Sequence, residues 1–154
     1  MKPILINAKN FKETKVMELK DKISKLDKKP QLVILSASDD KASENYIRNK
    51  MKIGAEVGIT VLVVKADERV TTEDMLETIH KLNQDPNTDA IILQLPIYKH
   101  LDKEALIKAI SPCKDADCFS SVKLGDVIQG KALVNPCTPN GVINLLDYHA
   151  VDVA

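Results

Sequence analysis

The sequence has 154 residues, and its 22 Lys plus Arg balance 22 Asp plus Glu to give a formal net charge of zero. A chain of this length fits one domain of ordinary size, and 44% hydrophobic residues are enough to build a buried core. The balanced charge provides no general field that would hold nucleic acid or an anionic membrane surface, which disfavours both as partners.

Two kinds of apolar pattern alternate along the first 110 residues. Apolar residues spaced three and four apart predict helices, whereas short runs of branched apolar residues predict buried strands. The patterns predict buried strands over 31–35, 59–64 and 90–93, with a helix over 16–26 before the first of them. Between the first two strands they predict a helix that is capped by Ser43 and runs to about Val57, before Gly58. A third helix runs from a Thr71–Asp74 capping box to about Asn83, and a short fourth one runs from the Asp102 cap through Ile110.

The last third of the chain is less regular. The stretch 111–136 has no helical or strand periodicity, and Thr138 followed by Pro139 reads as an N-cap and a first helical position. The last helix is expected to run to about Tyr148. Strands separated by helices of this length predict right-handed crossovers, so the expected fold class is α/β, a three-layer α/β/α domain with a mainly parallel sheet covered on both faces. No linker or repeat supports a second domain.

The cysteines and the ends of the chain predict a compartment. Cys113, Cys118 and Cys137 are odd in number and lack close paired spacing, which predicts reduced thiols rather than a disulfide or a zinc site. No run approaches the ~18 apolar residues of a membrane span, and the N-terminal sequence turns polar at once. We therefore expect a cytoplasmic protein that is neither exported nor membrane-spanning.

Ligands of open α/β sheets bind beyond the carboxyl ends of the strands, which directs attention to the segments after Leu35 and Leu93. In the helix after the first of these strands, Tyr46 and Lys50 lie four residues apart and share one helix face. A lysine on a face that also carries apolar residues is partly desolvated, which favours its neutral form and suits a general base. An ordinary surface lysine with a buried stem remains the alternative.

Two further segments carry polar groups at the same predicted edge. Gln94 ends the third strand and offers a carbonyl oxygen that could hold the Lys50 amine, or an amide that satisfies local backbone groups. Asp115 and Asp117 lie two apart in an irregular segment, a pattern that by itself favours a solvated turn. The three histidines are scattered, so spacing supports neither a metal site nor a catalytic triad. The glycine-rich phosphate-binding motifs are absent, and this chain is predicted to have no dinucleotide site.

Four motifs, taken together and in order, resemble the catalytic domain of the bifunctional methylenetetrahydrofolate dehydrogenase/methenyltetrahydrofolate cyclohydrolase family. The combination is far more specific than any one of the motifs, and the resemblance covers nearly the whole chain from Ile4-Leu5-Ile6 onward. The motifs are Ser43-x-x-Tyr46-x-x-x-Lys50, Gln94-Leu95-Pro96, Lys114-Asp115-Ala116-Asp117 and Pro136-Cys137-Thr138-Pro139-x-Gly141.

The resemblance implies a role for each matching site residue. Lys50 would be the catalytic base and proton handler, Tyr46 would pack on the folate ring system and orient it, and Gln94 would hydrogen-bond Lys50. Asp117 would anchor the pterin, because a carboxylate accepts two parallel hydrogen bonds from an amino group and a ring N–H. Ser43 and Pro96 complete the implied substrate-binding set, with no metal.

The resemblance also implies an activity and a domain organisation. Family members oxidise methylene-tetrahydrofolate with NAD or NADP and hydrolyse the methenyl product to formyl-tetrahydrofolate. Their dinucleotide lies in a Rossmann-type domain that this sequence lacks, so residues 1–150 would be the folate-binding catalytic domain and 151–154 the start of the junction. Full-length members would be homodimers through that second domain. This chain alone is expected to be a monomer and to bind neither NAD nor NADP at micromolar concentration.

Four positions depart from the family pattern. Ala37 stands where a glycine usually follows the first strand, Tyr98 replaces a second proline after Gln-Leu-Pro, and Lys123 replaces an asparagine. Cys118 replaces the glycine after Asp117, and a cysteine resists the positive φ that a glycine tolerates. Because none of these changes removes a proposed catalytic side chain, a divergent active member is favoured over a degenerate one.

Three other interpretations compete with this one. A non-catalytic folate-binding or interaction module would keep the fold and the pocket without turnover. A short-chain dehydrogenase also uses Tyr-x-x-x-Lys, but here the glycine-rich turn is missing and the pair comes too early in the chain. A flavodoxin-like or receiver-like domain would leave the matches in three strand-end segments unexplained.

Overall fold

The computed structural model describes residues 6–151. Most of the predicted junction at 151–154 therefore lies outside the described residues, as do Ile4 and Leu5. Along the chain the elements are α1 (Ala8–Ser24), β1 (Gln31–Ser36), α2 (Lys41–Val57), β2 (Thr60–Lys65), α3 (Thr72–Gln84), β3 (Ala90–Gln94), α4 (Lys103–Ala109), α5 (Ser121–Ile128) and α6 (Cys137–Tyr148).

The described strands form one parallel sheet in the order β2-β1-β3. β1 occupies the centre, and its residues Val33, Ile34 and Leu35 each expose 1% or less of their surface. A strand covered on both faces has no polar side to alternate with, which explains the continuous apolar run in its sequence. The predicted α/β class with a parallel sheet is confirmed.

Helices cover both faces of this sheet. On one face, alternate residues of β1 and β3 pack against α3 and α4 in a core cluster of Val33, Leu35, Ala37, Met75, Ile79, Ile91, Leu93, Leu101, Leu106 and Ile110. On the other face, Ile34 and Ile92 pack against Ile47 of α2, and α1 contacts α2 from outside. The predicted three-layer arrangement is therefore confirmed.

The prediction that the second strand is buried was wrong. β2 is an edge strand, and Leu62, Val63 and Val64 are 45%, 36% and 39% exposed. An edge strand has a neighbour on one side only, and its sequence here has the same branched apolar character as a central strand. The pattern alone could not separate the two positions.

Two helix starts also differ from their predictions. α1 begins at Ala8, eight residues before the first apolar residue of its pattern, because the Asn7 side chain caps it by accepting the backbone N–H of Lys9 at 2.9 Å. α2 is capped by Asp40 rather than Ser43, since the Asp40 carboxylate accepts the Ser43 N–H at 2.7 Å. The capping box of Thr71 and Asp74 and the Asp102 cap are confirmed.

The C-terminal third contains a helix that the sequence pattern missed. α5 lies inside the stretch predicted to be irregular, capped by Ser120, and it buries no side chain fully. α6 begins at Cys137 with Pro136 at its cap position and no side-chain cap bond, so Thr138 does not cap it. Its end at Tyr148 agrees with the prediction. Within residues 6–151, no helix combines the length and apolar character needed to cross a membrane.

We predict that Gly54→Ala destabilises the fold. A Cβ at this position of α2 would lie 2.3 Å from Cγ2 of Val61 on β2, and the short branched valine has few ways to move aside. Overpacking of this kind costs about 1–3 kcal/mol and outweighs the helix propensity of up to about 1 kcal/mol that alanine adds. Denaturant unfolding measures the difference.

Gly125→Ala is the matched control, because Gly125 also lies within a helix and a Cβ there would meet nothing within 4 Å. It should leave stability unchanged or raise it slightly. A Gly54→Ala protein as stable as the wild type would show that α2 and β2 are not closely packed.

Candidate active site

The central contact of the site joins Lys50 of α2 to Gln94, the last residue of β3. Nζ of Lys50 donates to Oε1 of Gln94 at 3.0 Å. The two residues are 44 positions apart in sequence, and the contact exists because α2 runs back over the sheet on which β3 lies. The structure therefore brings together these two predicted site residues at the carboxyl edge of β3.

A second set of bonds fixes which end of the Gln94 amide faces the lysine. Gln94 is 9% exposed, and its Nε2 donates to the Leu95 carbonyl at 2.9 Å. The Ser43 hydroxyl donates to the same carbonyl at 3.3 Å. A flipped amide would set its NH₂ against the Lys50 amine and its oxygen against a carbonyl, so only the observed orientation satisfies every group.

The other residues of the first two motifs differ in their access to solvent. Tyr46 is 61% exposed one helical turn before Lys50, so its ring face is open to a ligand. Ser43 is buried and its hydroxyl is occupied by Leu95, which separates it from the open side of the site. Pro96 is exposed and follows a cis peptide bond from Leu95.

A cleft adjoins the site at Leu95 and Pro96. It has a volume of about 580 Å³ and is lined by Leu95, Pro96, Ile97, Tyr98, Lys99, Leu101 and Lys103. Neither Lys50 nor Asp117 lines it, so the cleft is a neighbour of the polar cluster rather than the place where those groups meet.

The charged side chains of residues 114–117 have three different sets of partners. Nζ of Lys114 donates to the carbonyls of Leu82 and Asp85 at 2.9 and 2.8 Å, so Lys114 closes the C-terminal end of α3. Asp115 is buried and accepts backbone N–H groups of the residues that follow. Of the four residues 114–117, Asp117 has the acidic side chain that interacts with Lys50.

The pKa of Asp117 is shifted by the groups that surround its carboxyl. Partial burial raises the pKa of the Asp117 carboxyl, an effect that Lys50 opposes and that the Asp115 carboxylate strengthens. The Cys137 thiol donates to the carbonyl of Ala116, the residue directly before Asp117, at 3.4 Å. Burial raises the pKa of Cys137, and the Asp117 carboxylate adds to this rise. Lys50, Asp117 and Cys137 thus form one interacting group.

The structure also explains two departures from the family pattern. The Tyr98 N–H donates to the Ala37 carbonyl at 2.7 Å, a bond that a proline at position 98 could not form. Cys118 has φ +58°, the left-handed conformation for which a glycine is better suited. Ala37 is fully buried between the ends of β1 and the loop after β3, and its φ is not positive.

Sequence reasoning missed Cys137 and Asp115 as members of the site. The motif that contains Cys137 implies no role for its thiol, and the sequence presents Asp115 and Asp117 as two carboxylates of one irregular segment. Cys137 contacts a segment 21 residues earlier, which no local spacing reveals, whereas Asp115 contacts residues four and five positions later in a loop without a regular pattern. Among residues 6–151, no group of three or more His, Cys, Asp or Glu is arranged to hold a metal ion.

The catalytic-domain model of the tetrahydrofolate dehydrogenase/cyclohydrolase family matches residues 6–117. The chain belongs to this family. The Bifunctional protein FolD of Vesicomyosocius okutanii is 39% identical over 149 residues, which are 97% of this chain and 54% of the relative. The chain therefore spans about half the length of the curated relatives it matches.

Two solved structures of family members share the fold. The bifunctional enzyme FolD of Campylobacter jejuni superposes with a TM-score of 0.93 at 31% identity, covering 97% of this chain and 54% of the other. The Trypanosoma brucei methylenetetrahydrofolate dehydrogenase-cyclohydrolase, solved as a complex with NADP cofactor and inhibitor, gives 0.92 at 28% identity, covering 98% and 53%. The fold and the family are thus shown by independent comparisons.

We predict that Asp117→Asn stabilises the protein increasingly as the pH rises from about 4 to 8. A carboxyl whose pKa is raised by folding binds its proton more tightly in the folded state, so wild-type stability falls as the pH rises through that pKa. Asparagine has no charge to bury and escapes this loss. Thermal midpoints of both proteins across the range measure the difference.

Asp40→Asn serves as a control of opposite sign. Hydrogen bonds from Ser43 lower the pKa of Asp40, so the ionised form stabilises the fold above the ordinary carboxyl pKa and the variant should be less stable at neutral pH. If the gap between wild type and Asp117→Asn stays constant with pH, Asp117 is not held in the partly buried setting described above.

Proposed function

We propose that this chain is the catalytic, folate-binding half of an enzyme of one-carbon metabolism. The whole enzyme oxidises methylene-tetrahydrofolate to methenyl-tetrahydrofolate with NAD or NADP and hydrolyses the methenyl compound to formyl-tetrahydrofolate. The observation that carries the proposal is the 3.0 Å hydrogen bond between Lys50 and Gln94 in a chain of this family, with Lys50 near enough to Asp117 to oppose the rise of its pKa.

The three side chains have complementary tasks in this proposal. Asp117 accepts paired N–H groups from one edge of the pterin and sets its position and orientation. The exposed Tyr46 ring lies one helical turn from Lys50 and stacks on the flat ring system. Gln94 holds one hydrogen of the Lys50 amine, so that the rest of the amine is directed to the ligand. Ser43 and Pro96 act through the backbone and the cleft wall.

The hydrolytic step needs a base near the methenyl carbon. Water adds to this carbon through its oxygen while one of its protons passes to Nζ of Lys50, which must be neutral to accept it. One C–N bond of the adduct then breaks as protonated Lys50 returns its proton to the leaving nitrogen, and loss of the hydroxyl proton to solvent gives the formyl group. Because Gln94 contributes only a neutral oxygen, it orients the amine without adding a second charge beside the cationic bridge.

The residues of this chain do not fit a dinucleotide. A binding turn for NAD or NADP needs glycines directly after a strand so that the backbone can approach the pyrophosphate. Here β1 is followed by Ala37-Ser38 and β3 by Leu95-Pro96. Hydride transfer therefore depends on groups outside this chain, in the half of the longer relatives that it does not match. In this proposal residues 1–150 are the catalytic domain of that longer protein.

The proposal extends to assembly and location. A protein of full family length would be a homodimer in the cytoplasm, whereas this chain alone would be a monomer with folate as its small-molecule ligand. Light scattering of the isolated chain tests the first part, and a stable dimer mass would contradict it.

We predict that Asp117→Ala weakens tetrahydrofolate binding strongly. Two charge-assisted hydrogen bonds disappear together, each contributing about 1.5–3 kcal/mol. The affinity of Asp117→Asn should lie between those of wild type and Asp117→Ala, because asparagine retains one acceptor. Calorimetric titration measures the affinities, with Asp147→Ala on the exposed side of α6 as the control. Equal affinity of wild type and Asp117→Ala would place the pterin anchor elsewhere.

We predict that Lys50→Met abolishes most methenyl-tetrahydrofolate hydrolysis while keeping the fold and some folate affinity. A general base contributes about 10²–10⁴-fold, and methionine matches the length and helix propensity of lysine. Lys50→Arg should lose nearly as much, because a guanidinium stays protonated and accepts no proton. The loss of methenyl absorbance follows the rate, and the thermal midpoint follows the fold.

Lys52→Met is the matched control, since Lys52 is an exposed lysine of the same helix. If Lys50→Arg retains most of the activity, only a positive charge is needed and Lys50 is not the base. If wild type binds tetrahydrofolate but hydrolyses nothing, the chain is a binding module rather than a catalytic one.

A further inference from the structure

Asp115 is a buried carboxylate that binds the backbone of its own loop. It is 7% exposed, and its Oδ2 accepts the N–H of Ser120 at 2.9 Å while its Oδ1 accepts the N–H of Phe119 at 3.4 Å. In the part of the chain that the structure describes, no cationic side chain forms an ion pair with it. Its charge is therefore stabilised by backbone hydrogen bonds.

The start of the same loop is fixed to the sheet. The Ile91 N–H donates to the Lys114 carbonyl at 2.7 Å, and the Ala116 N–H donates to the Ile91 carbonyl at 3.3 Å, which forms a parallel bridge beside β3. Asp115 joins this fixed start to the residues where α5 begins. The three residues enclosed between the two anchors are Ala116, Asp117 and Cys118.

The enclosed turn contains a strained residue. Cys118 has φ +58° and is fully buried, with its Sγ 3.4 Å from the Val134 carbonyl. A residue with a Cβ keeps this conformation only where its surroundings hold it there. The Phe119 and Ser120 N–H groups that Asp115 accepts follow Cys118 directly, so they fix its backbone from the C-terminal side.

We propose that Asp115 is the positioning residue that holds the Asp117 carboxylate toward Lys50, by tying residues 119 and 120 back to the sheet edge. The proposal rests on the proposed function, in which Asp117 anchors the pterin. Without the tie, Cys118 relaxes to negative φ, and the direction in which the preceding residue presents its side chain changes. Asp115 itself is buried behind the loop and acts through Asp117.

The first test follows the buried thiol and needs no ligand. Cys113 and Cys137 are exposed and Cys118 is buried, so two thiols of the folded wild type should react with dithiobis(nitrobenzoate), Cys137 more slowly than Cys113 because its pKa is raised, while Cys118 stays protected. In Asp115→Asn the loop opens more often, and a third thiol should react about tenfold faster or more than in wild type. Asp74→Asn is the control, because it removes a structural carboxylate of the α3 capping box far from this loop.

The second test measures tetrahydrofolate affinity by calorimetry. Asp115→Asn should weaken binding about tenfold, because small displacements of an orienting group are costly, whereas Asp74→Asn should lower the thermal midpoint and leave affinity unchanged. The loss caused by Asp115→Asn should be smaller in a Cys118→Gly background, since glycine adopts positive φ without the tie.

The outcomes separate this proposal from the proposed function. Two reactive thiols together with unchanged affinity in Asp115→Asn would overturn the positioning role, as would a loss of affinity with no third reactive thiol. A third reactive thiol with unchanged affinity would also overturn the positioning role, and the affinity of Asp117→Ala then shows separately whether Asp117 anchors the pterin. If Asp115→Asn does not fold, hydrogen exchange of the wild type decides, because an unprotected Ser120 amide would contradict the tie.

Discussion

The burial of β1 between two parallel neighbours and two helical layers is the constraint on which the rest of the structure depends. Because all described strands run the same way, their carboxyl ends meet at one edge, and the segments that follow β1 and β3 are brought together there. The core residues are apolar and take no part in the chemistry, but their packing determines which polar residues become neighbours. Lys50 and Gln94 meet only because α2 crosses the face of the sheet that holds Ile34 and Ile92.

A network of backbone and side-chain bonds then converts that proximity into a defined orientation. The Leu95 carbonyl accepts from both Ser43 and Gln94, which links α2, β3 and the loop after it through one oxygen. Ser43 thus contributes to the site through the scaffold, although its hydroxyl is buried. The backbone bond from the Tyr98 N–H to the Ala37 carbonyl also joins the loop after β1 to the loop after β3.

The parts of the fold that could be predicted from sequence are those in which local pattern and burial agree. The apolar run of β1 and the capping box of Thr71 and Asp74 fall in this class, because each signal depends on neighbouring residues. β2 carries the same apolar signal at an edge, and only the tertiary structure shows that no strand among residues 6–151 pairs with its outer side. α5 does carry apolar residues on one face, but it spans only eight residues, which is too short for the helical period to stand out from the irregular sequence around it. Asp40 is the cap of α2 because it lies directly before the first helical residue, whereas Ser43 lies within the helix.

The two carboxylates of the site illustrate why residue type and spacing do not determine a role. Asp115 and Asp117 are chemically identical and two positions apart, but one faces backbone N–H groups and the other faces Lys50 and Cys137. The bridge between Asp115 and Ile91 holds Asp115 against the sheet. The positive φ of Cys118 ends the turn that contains Asp117. A family that usually has glycine at position 118 obtains this turn at no steric cost, whereas this chain has a cysteine there and must hold the same backbone by its surroundings. The buried Asp115 carboxylate is the group placed to supply that restraint, which connects the departure at Cys118 to the geometry of Asp117.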